Sequence, residues 1–354
     1  MKALITAGGK GTRLRPITHT QNKHLIPVAN KKILDYALEY VKEAGINEVG
    51  IITNKGDTEV QDVYGDGSDF GLNLTYIPQD SPRGLADCVR IAEPFIGKEP
   101  FVFYLGDNII VGGIKRFVDQ FKSNGTSCHL VLSKVPDPER FGVPEIKDDR
   151  IVKVEEKPTN PKSDFAVTGI YLYDHNIFEA VNNIEMSDRG ELEISDAHQY
   201  LIDKGLEVSY SEITGWWKDT GKPRDLIEAN RLVLDNVERK IEGKVDDNSV
   251  IQGRVSIAKS AEIVNSQIRG PVIIGEGVKI KDSYIGPYTS LDKDTHVKNS
   301  ELEFSIIMEE VKIYNQTSRL ENSILGKNAA VAKSVRKPAA NKFIIGENSR
   351  VALL

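Results

Sequence analysis

The sequence predicts an α/β fold followed by a parallel β-helix, because the pattern of apolar residues changes once along the chain. Up to about residue 238, short apolar runs alternate with segments of helical periodicity. Beyond that point, apolar residues recur every six positions. The first pattern predicts a mainly parallel sheet with helices on both faces. The second predicts stacked β-helical coils. We therefore expect two domains, residues 1–238 and 239–354.

Strands and helices of the first domain follow from these runs. The apolar runs predict buried strands at Lys2–Thr6, Glu48–Thr53, Asn73–Ile77 and Pro100–Leu105. Helical spacing predicts helices at Ile33–Ala44, Leu85–Ile96, Ile114–Asn124 and about Lys222–Lys240. Ligands of such sheets bind beyond the carboxyl ends of the strands.

In the second domain the repeat is regular enough to be followed residue by residue. The inward-facing set is Ile251, Ile257, Ile263, Ile268, Ile274, Ile280, Ile285, Leu291 and Val297. A turn phrase repeats with it, as Asn265-Ser266, Asp282-Ser283, Asn299-Ser300 and Asn322-Ser323. The alternative, an antiparallel β-domain with regular turns, explains this register poorly. The stretch Val335–Leu354 breaks the period, and we expect it to cap the coil or to pack elsewhere.

Composition narrows the class of protein. The chain has 354 residues, 40% of them hydrophobic and 28% charged, which is ordinary for a soluble globular protein. The net charge of −6 argues against a nucleic-acid partner, because binding of that kind usually depends on a positively charged protein surface. Two cysteines without a CxxC pair argue against a structural zinc site or a disulfide framework. The short N-terminal apolar run fits neither a signal peptide nor a membrane span, so we expect a cytoplasmic protein without a membrane partner.

The strongest motif is the glycine-rich loop Gly8-Gly9-Lys10-Gly11-Thr12-Arg13, directly after the first strand. Glycines allow tight bends and close approach of backbone N–H groups to phosphate oxygens. The Arg13 guanidinium adds a planar set of donors for phosphate. The string matches neither a Walker A loop nor a dinucleotide fingerprint, and the alternative is a structural turn. Lys23 follows in a Pro-bounded loop and supplies a second cation for the same phosphates.

Two further groups of residues carry charge. Asp107 ends a buried run and is suited to hold Mg²⁺ through one carboxylate and phosphate oxygens, with Asp219 as a second carboxylate. Gly-Asp-Asn alone is more often a turn, and a metal site requires that the two acids converge in the fold. Glu156 and Lys157 lie between strand-like segments that bear glycine and tyrosine, an arrangement suited to a sugar phosphate.

Together these strings closely resemble the glucose-1-phosphate thymidylyltransferases of the sugar nucleotidyltransferase family. The resemblance covers residues 1 to about 235 and includes Tyr76-Ile77-Pro78-Gln79, Ser81–Ala86 and Asp137–Val143. It implies a Rossmann-like domain, and the added repeats resemble the family's long form, which carries a left-handed β-helix. The chain departs from the short form at His24, usually Gln, and at Phe141, usually Tyr.

The resemblance also implies a role for each matching residue. The triphosphate would be held by Gly8, Gly9, Gly11, Thr12, Arg13 and Lys23, and the base would be met by Gln79 and Gly84. Asp107 and Asp219 would hold Mg²⁺. The sugar-phosphate pocket would be lined by Asn108, Gly142, Glu156, Lys157, Val167 and Tyr171, with Arg189 and Glu191 nearby. Arg13, Lys23 and Lys157 would assist an in-line attack of the sugar phosphate on the α-phosphorus of dTTP.

Several alternatives remain open at this point. The same chemistry with UTP is compatible with the loop sequences, whereas guanylyl transfer to mannose fits them less well. A bifunctional enzyme would need an acyltransferase in the β-helix, for which His296 is the candidate histidine. A non-catalytic regulatory subunit would not need to retain the charged residues. We expect the β-helix to serve assembly into a homo-oligomer, or stability.

Overall fold

The computed structural model describes residues 1–9 and 11–333, so the segment Val335–Leu354 lies outside the described residues. The described residues form two compact units. The first comprises residues 1–9, 22–25 and 33–219, and the second comprises residues 11–21, 26–32 and 220–333. The glycine-rich loop and the lysine loop therefore contribute residues to both units.

Short strands and helices alternate up to residue 234. The strands are β1 (Lys2–Thr6), β2 (Pro27–Val28), β3 (Lys31–Lys32), β4 (Glu48–Asn54), β5 (Asn73–Gln79), β6 (Phe101–Leu105), β7 (Asn108–Ile110), β8 (Cys128–Lys134), β9 (Gly142–Lys147), β10 (Arg150–Glu156), β11 (Phe165–Tyr173), β12 (Val208–Glu212) and β13 (Trp217–Asp219). The helices are α1 (Ile33–Glu43), α2 (Glu59–Tyr64), α3 (Leu85–Ile91), α4 (Glu93–Ile96), α5 (Lys115–Asn124), α6 (Ile177–Asn183), α7 (Ile194–Asp203) and α8 (Pro223–Leu234).

The first unit is built on one seven-stranded sheet with the order β12-β8-β11-β6-β1-β4-β5. Strands β6, β1, β4 and β5 pair in parallel, and β12 is parallel to β8. Strand β11 is antiparallel to both of its neighbours, β6 and β8. The mainly parallel sheet is confirmed, and the four adjacent parallel strands present their carboxyl ends at one edge.

Helices cover both faces of this sheet, as predicted. Alternate residues of β1 point to opposite faces, so Leu4 belongs to one buried cluster and Ala3 and Ile5 belong to the other. The Leu4 cluster includes residues of α3, α6 and α7. The other cluster includes residues of α1, α2 and α5. The sheet is therefore the middle layer of a three-layer unit.

Two helix predictions need correction. The predicted helix Leu85–Ile96 is two helices, α3 and α4, which meet at Ala92; Pro94, near the start of α4, has no N–H with which to continue a helical ladder. The predicted helix Lys222–Lys240 ends at Leu234, and Lys240 starts a short strand instead. Helix α8 belongs to the second compact unit. The domain boundary at residues 238 and 239 stays a prediction.

The second unit contains a left-handed parallel β-helix, as predicted. Its strands form three parallel sheets with one strand per coil in each. The coil strands are β14 (Lys240–Ile241), β15 (Lys244–Val245), β16 (Val250–Gln252), β17 (Val255–Ile257), β18 (Glu262–Val264), β19 (Gln267–Arg269), β20 (Val272–Ile274), β21 (Lys279–Lys281), β22 (Tyr284–Ile285), β23 (Thr289–Leu291), β24 (His296–Lys298), β25 (Glu301–Glu303), β26 (Ile306–Ile307), β27 (Lys312–Tyr314), β28 (Leu320–Glu321), β29 (Ile324–Leu325) and β30 (Ala330–Ala332). The predicted inward residues stack in register, for example Ile268 on Ile285 and Ile285 on Leu302. Ile251 is half-buried, and the other members of the predicted set are buried.

The repeated turn phrase has a backbone explanation. Its first residue lies in the left-handed region at each repeat, with φ of 46° at Asn265, 50° at Asp282, 48° at Asn299 and 50° at Asn322. Asn and Asp tolerate this conformation better than other side chains with a Cβ. The following serine links the coils, because the Ser283 N–H donates to Ser266 Oγ at 3.1 Å and the Ser300 N–H donates to Ser283 Oγ at 3.3 Å. The turn phrase therefore sets both the corner and the stacking of successive coils.

Other expectations concern isolated residues. Cys88 and Cys128 are buried free thiols. His296 lies in β24 with Lys279 and Lys312 at the same position of the adjacent coils. In the part of the chain that the structure describes, no helix is long and apolar enough to cross a bilayer.

Candidate active site

A cavity of about 240 Å³ opens at the carboxyl ends of β1, β4, β5 and β6 in the first unit. This is the place at which open parallel sheets bind ligands. Six residues predicted to bind the nucleotide line it together: Gly8, Gly9, Lys23, Gln79, Gly84 and Asp107. The structure thus brings together residues from four separate segments of the sequence.

The start of the glycine-rich loop leaves β1 and bends toward β4. Gly9 has a φ of 105°, which an L side chain rarely adopts. Its N–H donates to Asn54 Oδ1 at 3.0 Å. A Cβ on Gly8 would lie 3.1 Å from the same oxygen, so the loop passes close to the end of β4. Asn54 therefore holds this backbone in place, a role that no local sequence signal predicts.

The rest of the loop belongs to the second compact unit. Gly11, with a φ of 53°, precedes a single 3-10 turn formed by Thr12–Leu14. Thr18 Oγ1 donates to the Gly11 carbonyl at 2.6 Å. Arg13 is exposed. The assignment of Gly11, Thr12 and Arg13 to the triphosphate stays a prediction.

Lys23 lies in a 3-10 turn and forms an ion pair with Asp107. Burial alone would raise the pKa of the Asp107 carboxyl, but the charge and hydrogen bond of Lys23 outweigh it and hold that pKa below its usual value. The carboxylate is therefore ionised near neutral pH and is suited to bind cationic groups.

Two buried neighbours hold the lysine turn in place. Asn22 Nδ2 donates to the Ala7 carbonyl at 2.9 Å, and Asn22 Oδ1 lies 2.8 Å from His24 Nδ1. Burial, together with the adjacent Lys23 charge, lowers the pKa of His24 to about 3. His24 is thus uncharged at neutral pH and helps to orient the turn.

Asp219 and Asp107 reach the same part of the first unit through β7 and β13. These strands pair in antiparallel fashion, with Asp219 opposite Asn108, the residue after Asp107. The buried Asn108 accepts a hydrogen bond from Trp217 Nε1 at 2.7 Å, which fixes this pairing. Within residues 1–9 and 11–333, no cluster of three or more His, Cys, Asp or Glu residues could hold a metal. Two carboxylates still fit Mg²⁺, which proteins usually bind through one or two carboxylates plus substrate phosphates.

Gln79 and Gly84 also line the cavity. Gln79 is the last residue of β5, and Gly84 directly precedes α3. Gly84 has a φ of 101°, and a Cβ there would lie 2.4 Å from the Leu192 carbonyl oxygen. The Ala86 N–H donates to that oxygen at 3.2 Å, so the segment around Leu192 crosses the start of α3. This crossing explains why Glu191 lines the cavity, although the sequence placed it near the sugar phosphate.

The residues predicted for the sugar phosphate form a second group. A Cβ on Gly142 would lie 3.4 Å from Glu156 Oε2 and 3.7 Å from Val167 Cγ2, so these three residues are neighbours. Glu156 Oε2 accepts a hydrogen bond from Ser195 Oγ at 2.8 Å. Ser195, which no sequence signal singles out, thereby orients the carboxylate toward Gly142.

Charged side chains surround Glu156. Its Oε1 lies 3.1 Å from Lys157 Nζ and 3.5 Å from Arg189 Nη2. Lys157 has a φ of 44°, and its N–H donates to the Phe141 carbonyl at 2.9 Å. A lysine in the left-handed region is uncommon, and this hydrogen bond helps to hold it there.

Tyr171 is buried and links the two groups. Its ring stacks on Phe103 at a centroid distance of 5.6 Å. Burial raises the pKa of its hydroxyl, and the nearby charges of Glu156 and Asp107 raise it further. Tyr171 therefore stays protonated at neutral pH, and its assignment to the sugar-phosphate pocket stays a prediction.

The fold and this site define a class of enzyme that binds a nucleotide and acts on its phosphates. The chain belongs to the nucleotidyl transferase family, whose profile matches residues 2–236. It is 47% identical over its full length to the glucose-1-phosphate thymidylyltransferase of Streptomyces griseus, covering 99% of that protein. It is 48% identical to the protein of the same name from Streptomyces antibioticus, covering 100% of this chain and 99% of that one.

A solved structure supports the same family. It is assigned as a glucose-1-phosphate thymidylyltransferase from Bacillus anthracis, in complex with sucrose. The alignment covers 68% of this chain and 98% of that chain, with a TM-score of 0.63 and 41% identity.

Proposed function

We propose that this enzyme transfers the thymidylyl group of dTTP to glucose 1-phosphate, giving dTDP-glucose and pyrophosphate. The observation that carries the proposal is the cavity that gathers Gly8, Gly9, Lys23, Gln79, Gly84 and Asp107 at one sheet edge. The full-length similarity to two thymidylyltransferases supports the choice of nucleotide and sugar.

The reaction is an in-line displacement at phosphorus. A phosphate oxygen of glucose 1-phosphate forms a bond to the α-phosphorus, and the bond to the bridging oxygen of pyrophosphate breaks. The attacking phosphate is already an anion, so no strong general base is required. Catalysis then depends on positioning two polyanions and on stabilising charge.

Each cationic residue has a place in this scheme. Lys23 and Arg13 would neutralise charge on the departing pyrophosphate, and Lys157 would hold the attacking phosphate. Asp107 and Asp219 would hold Mg²⁺, and the ion would supply positive charge to neutralise the phosphates during transfer. Glu156 would accept hydrogen bonds from sugar hydroxyls, kept in position by Ser195.

The decisive experiment is a pyrophosphate-release assay of the full chain, pairing dTTP, UTP, dCTP, ATP and GTP with several sugar 1-phosphates. We expect dTTP with glucose 1-phosphate to give the highest kcat/KM. A clear preference for UTP would replace thymidylyl by uridylyl transfer. Failure with every pair, with and without Mg²⁺, would overturn the proposal and favour a regulatory role.

Two further proposals concern the setting of the enzyme. We propose that it acts in the cytoplasm and forms a homo-oligomer through the coil, whose regular flat faces suit self-association. Light scattering of the purified protein should give the mass of two or more chains of 39.3 kDa each. A mass of one chain at micromolar concentration would contradict the second proposal.

A further inference from the structure

The buried carboxylate of Asp87 lies next to Gln79 on the side away from the cavity. The side-chain amide of Gln79 donates a hydrogen bond to it. Gln79 Nε2 donates to Asp87 Oδ2 at 2.8 Å and lies 3.4 Å from the Gly84 carbonyl oxygen. Both neighbours are acceptors, and a side-chain amide has two N–H donors on nitrogen and only acceptor capacity on oxygen. The amide nitrogen must therefore face Asp87 and Gly84, which leaves Gln79 Oε1 as the group available to a ligand in the cavity.

Asp87 is itself held in this arrangement. Its other oxygen, Oδ1, pairs with Arg90 one helical turn later, and the Asp87 side chain is 5% exposed. Asp87 also lies in the first turn of α3, where the helix dipole favours negative charge. Arg90 requires an acceptor at Oδ1 and Gln79 requires one at Oδ2, so a carboxylate satisfies both while a neutral amide cannot.

We infer that Asp87 is a positioning residue that sets which base the enzyme accepts, by fixing the Gln79 amide with its oxygen toward the cavity. This inference rests on the proposed function, in which Gln79 meets the base. An acceptor at that point pairs with the imino N3–H of thymine or uracil. Cytosine has a lone pair at N3 and would meet Gln79 Oε1 as a second acceptor. The contact therefore separates imino pyrimidines from cytosine and does not separate dTTP from UTP.

The test is the variant Asp87→Asn, which keeps the size and shape of the side chain. Arg90 would take the new amide oxygen, so the new NH₂ group would face Gln79 and turn the Gln79 amide over. Gln79 would then present a donor to the base. We expect the ratio of dTTP to dCTP affinity to fall by about 10- to 100-fold, as follows from mispairing one buried hydrogen bond. In turnover, KM for dTTP should rise while kcat and KM for glucose 1-phosphate change little.

The double variant Gln79→Glu/Asp87→Asn reverses donor and acceptor. The amide at position 87 would donate to one oxygen of the new glutamate, whose second oxygen would again face the cavity. We expect this variant to recover most of the preference for dTTP over dCTP, whereas Gln79→Glu alone places two carboxylates together and should lose it. If Asp87→Asn does not fold, the comparison of the double variant with Gln79→Glu still tests the inference.

Asp80→Asn is the matched control, because Asp80 follows Gln79 directly and forms an exposed ion pair with Lys55. It should leave the nucleotide preference unchanged. Affinities are measured by calorimetry with dTTP and dCTP, so the inference can be tested even if turnover is absent. Failure of the wild-type chain to release pyrophosphate would count against the proposed function alone. If the ratio of dTTP to dCTP affinity is unchanged in Asp87→Asn, whether or not both affinities fall, the inference is overturned.

Discussion

The cavity of the first unit and the coil of the second differ in how their cooperating residues are spaced. Lys23 pairs with Asp107, 84 residues away in the sequence. In the coil, the Ser283 N–H bonds to Ser266 Oγ, 17 residues away, and equivalent bonds recur along the stack. Contacts at the cavity thus join segments that are distant in the sequence, while those of the coil are repeated from one coil to the next. We expect substitutions at the cavity to affect chemistry and substitutions in the coil to affect stability.

The largest expected effect is on turnover. Asp107→Asn removes the negative charge beside Lys23 and one of the two carboxylates proposed for Mg²⁺, while keeping the shape of the side chain. We expect pyrophosphate release to fall by roughly 10²–10³-fold, with the far-ultraviolet circular dichroism unchanged. Asp119→Asn, which removes an exposed pair with Lys115 on α5, should retain activity. Near-normal turnover of Asp107→Asn would contradict the assignment of this site.

The converse test is made in the coil. Ile285 is fully buried and stacks between Ile268 and Leu302, so Ile285→Ala leaves a cavity in the stack. We expect it to lower the free energy of unfolding by about 2–5 kcal/mol, measured by urea titration.

Two observations would check this result. Pyrophosphate release per folded molecule should stay near the wild-type value, because the contact is one of many in the coil. Gln267→Ala, at an exposed position next to Ile268, should change stability by less than about 0.5 kcal/mol. If Ile285→Ala loses most of its activity while keeping wild-type stability, the expected difference between the cavity and the coil is wrong.

A pH-dependent effect is expected in the first unit. Burial lowers the pKa of His198 to about 3 from an ordinary value of 6.5. The unfolded chain therefore binds a proton that the folded chain does not, between these values. The stability contributed by the neutral ring is complete above pH 6.5 and is lost as the pH falls toward 3. From this residue we expect a loss of about 2 kcal/mol between pH 7 and pH 5.

Tryptophan fluorescence can measure this loss, because both tryptophans, Trp216 and Trp217, lie in the first unit. His198→Phe removes the titrating group and the hydrogen bond at 2.6 Å to the Tyr173 hydroxyl. The variant should be less stable at pH 7 and should lose less stability on acidification. Parallel pH profiles for the variant and the wild type would exclude this explanation.

The smallest effect concerns one corner of the coil. Asn299 has a φ of 48°, and its Nδ2 donates to Asn315 Oδ1 at 3.2 Å. Asn299→Ala and Asn299→Gly both remove that hydrogen bond, but only alanine keeps a Cβ in the left-handed region. We expect the glycine variant to be more stable than the alanine variant by about 1 kcal/mol in urea unfolding. Equal stabilities would show that the corner is set by the ladder of hydrogen bonds and not by the backbone conformation.

The coil could be predicted almost completely from the sequence. Each apolar residue of the six-step pattern stacks on the equivalent residue of the next coil. The spacing between Ile268 and Ile285 is therefore enough to predict that these two residues pair. The turn residues Asn265 and Asp282 are explained by local backbone conformation alone. The helices were less predictable at their ends, as at Ala92 and Leu234, because packing and a single proline decide where such short segments stop.

At the cavity, the sequence supplied the types of residue but not their arrangement. Gly8, Lys23 and Asp107 could be selected because phosphate chemistry requires glycine backbone, cations and carboxylates. The supporting residues Asn22, Asn54 and Ser195 carry no such signal, since an amide or hydroxyl is common at surface turns.

The sequence by itself determined the periodic parts of this protein: the alternation of strands and helices, the stacked coil, and the glycine-rich loop at the end of the first strand. Those features depend on interactions between near neighbours or between identical repeats. Only the tertiary structure decided that Asp219 lies opposite Asn108, that Lys23 pairs with Asp107, and that Asp87 lies behind Gln79. These contacts join segments through the order of strands in the sheet, and that order is set by the packing of the whole unit.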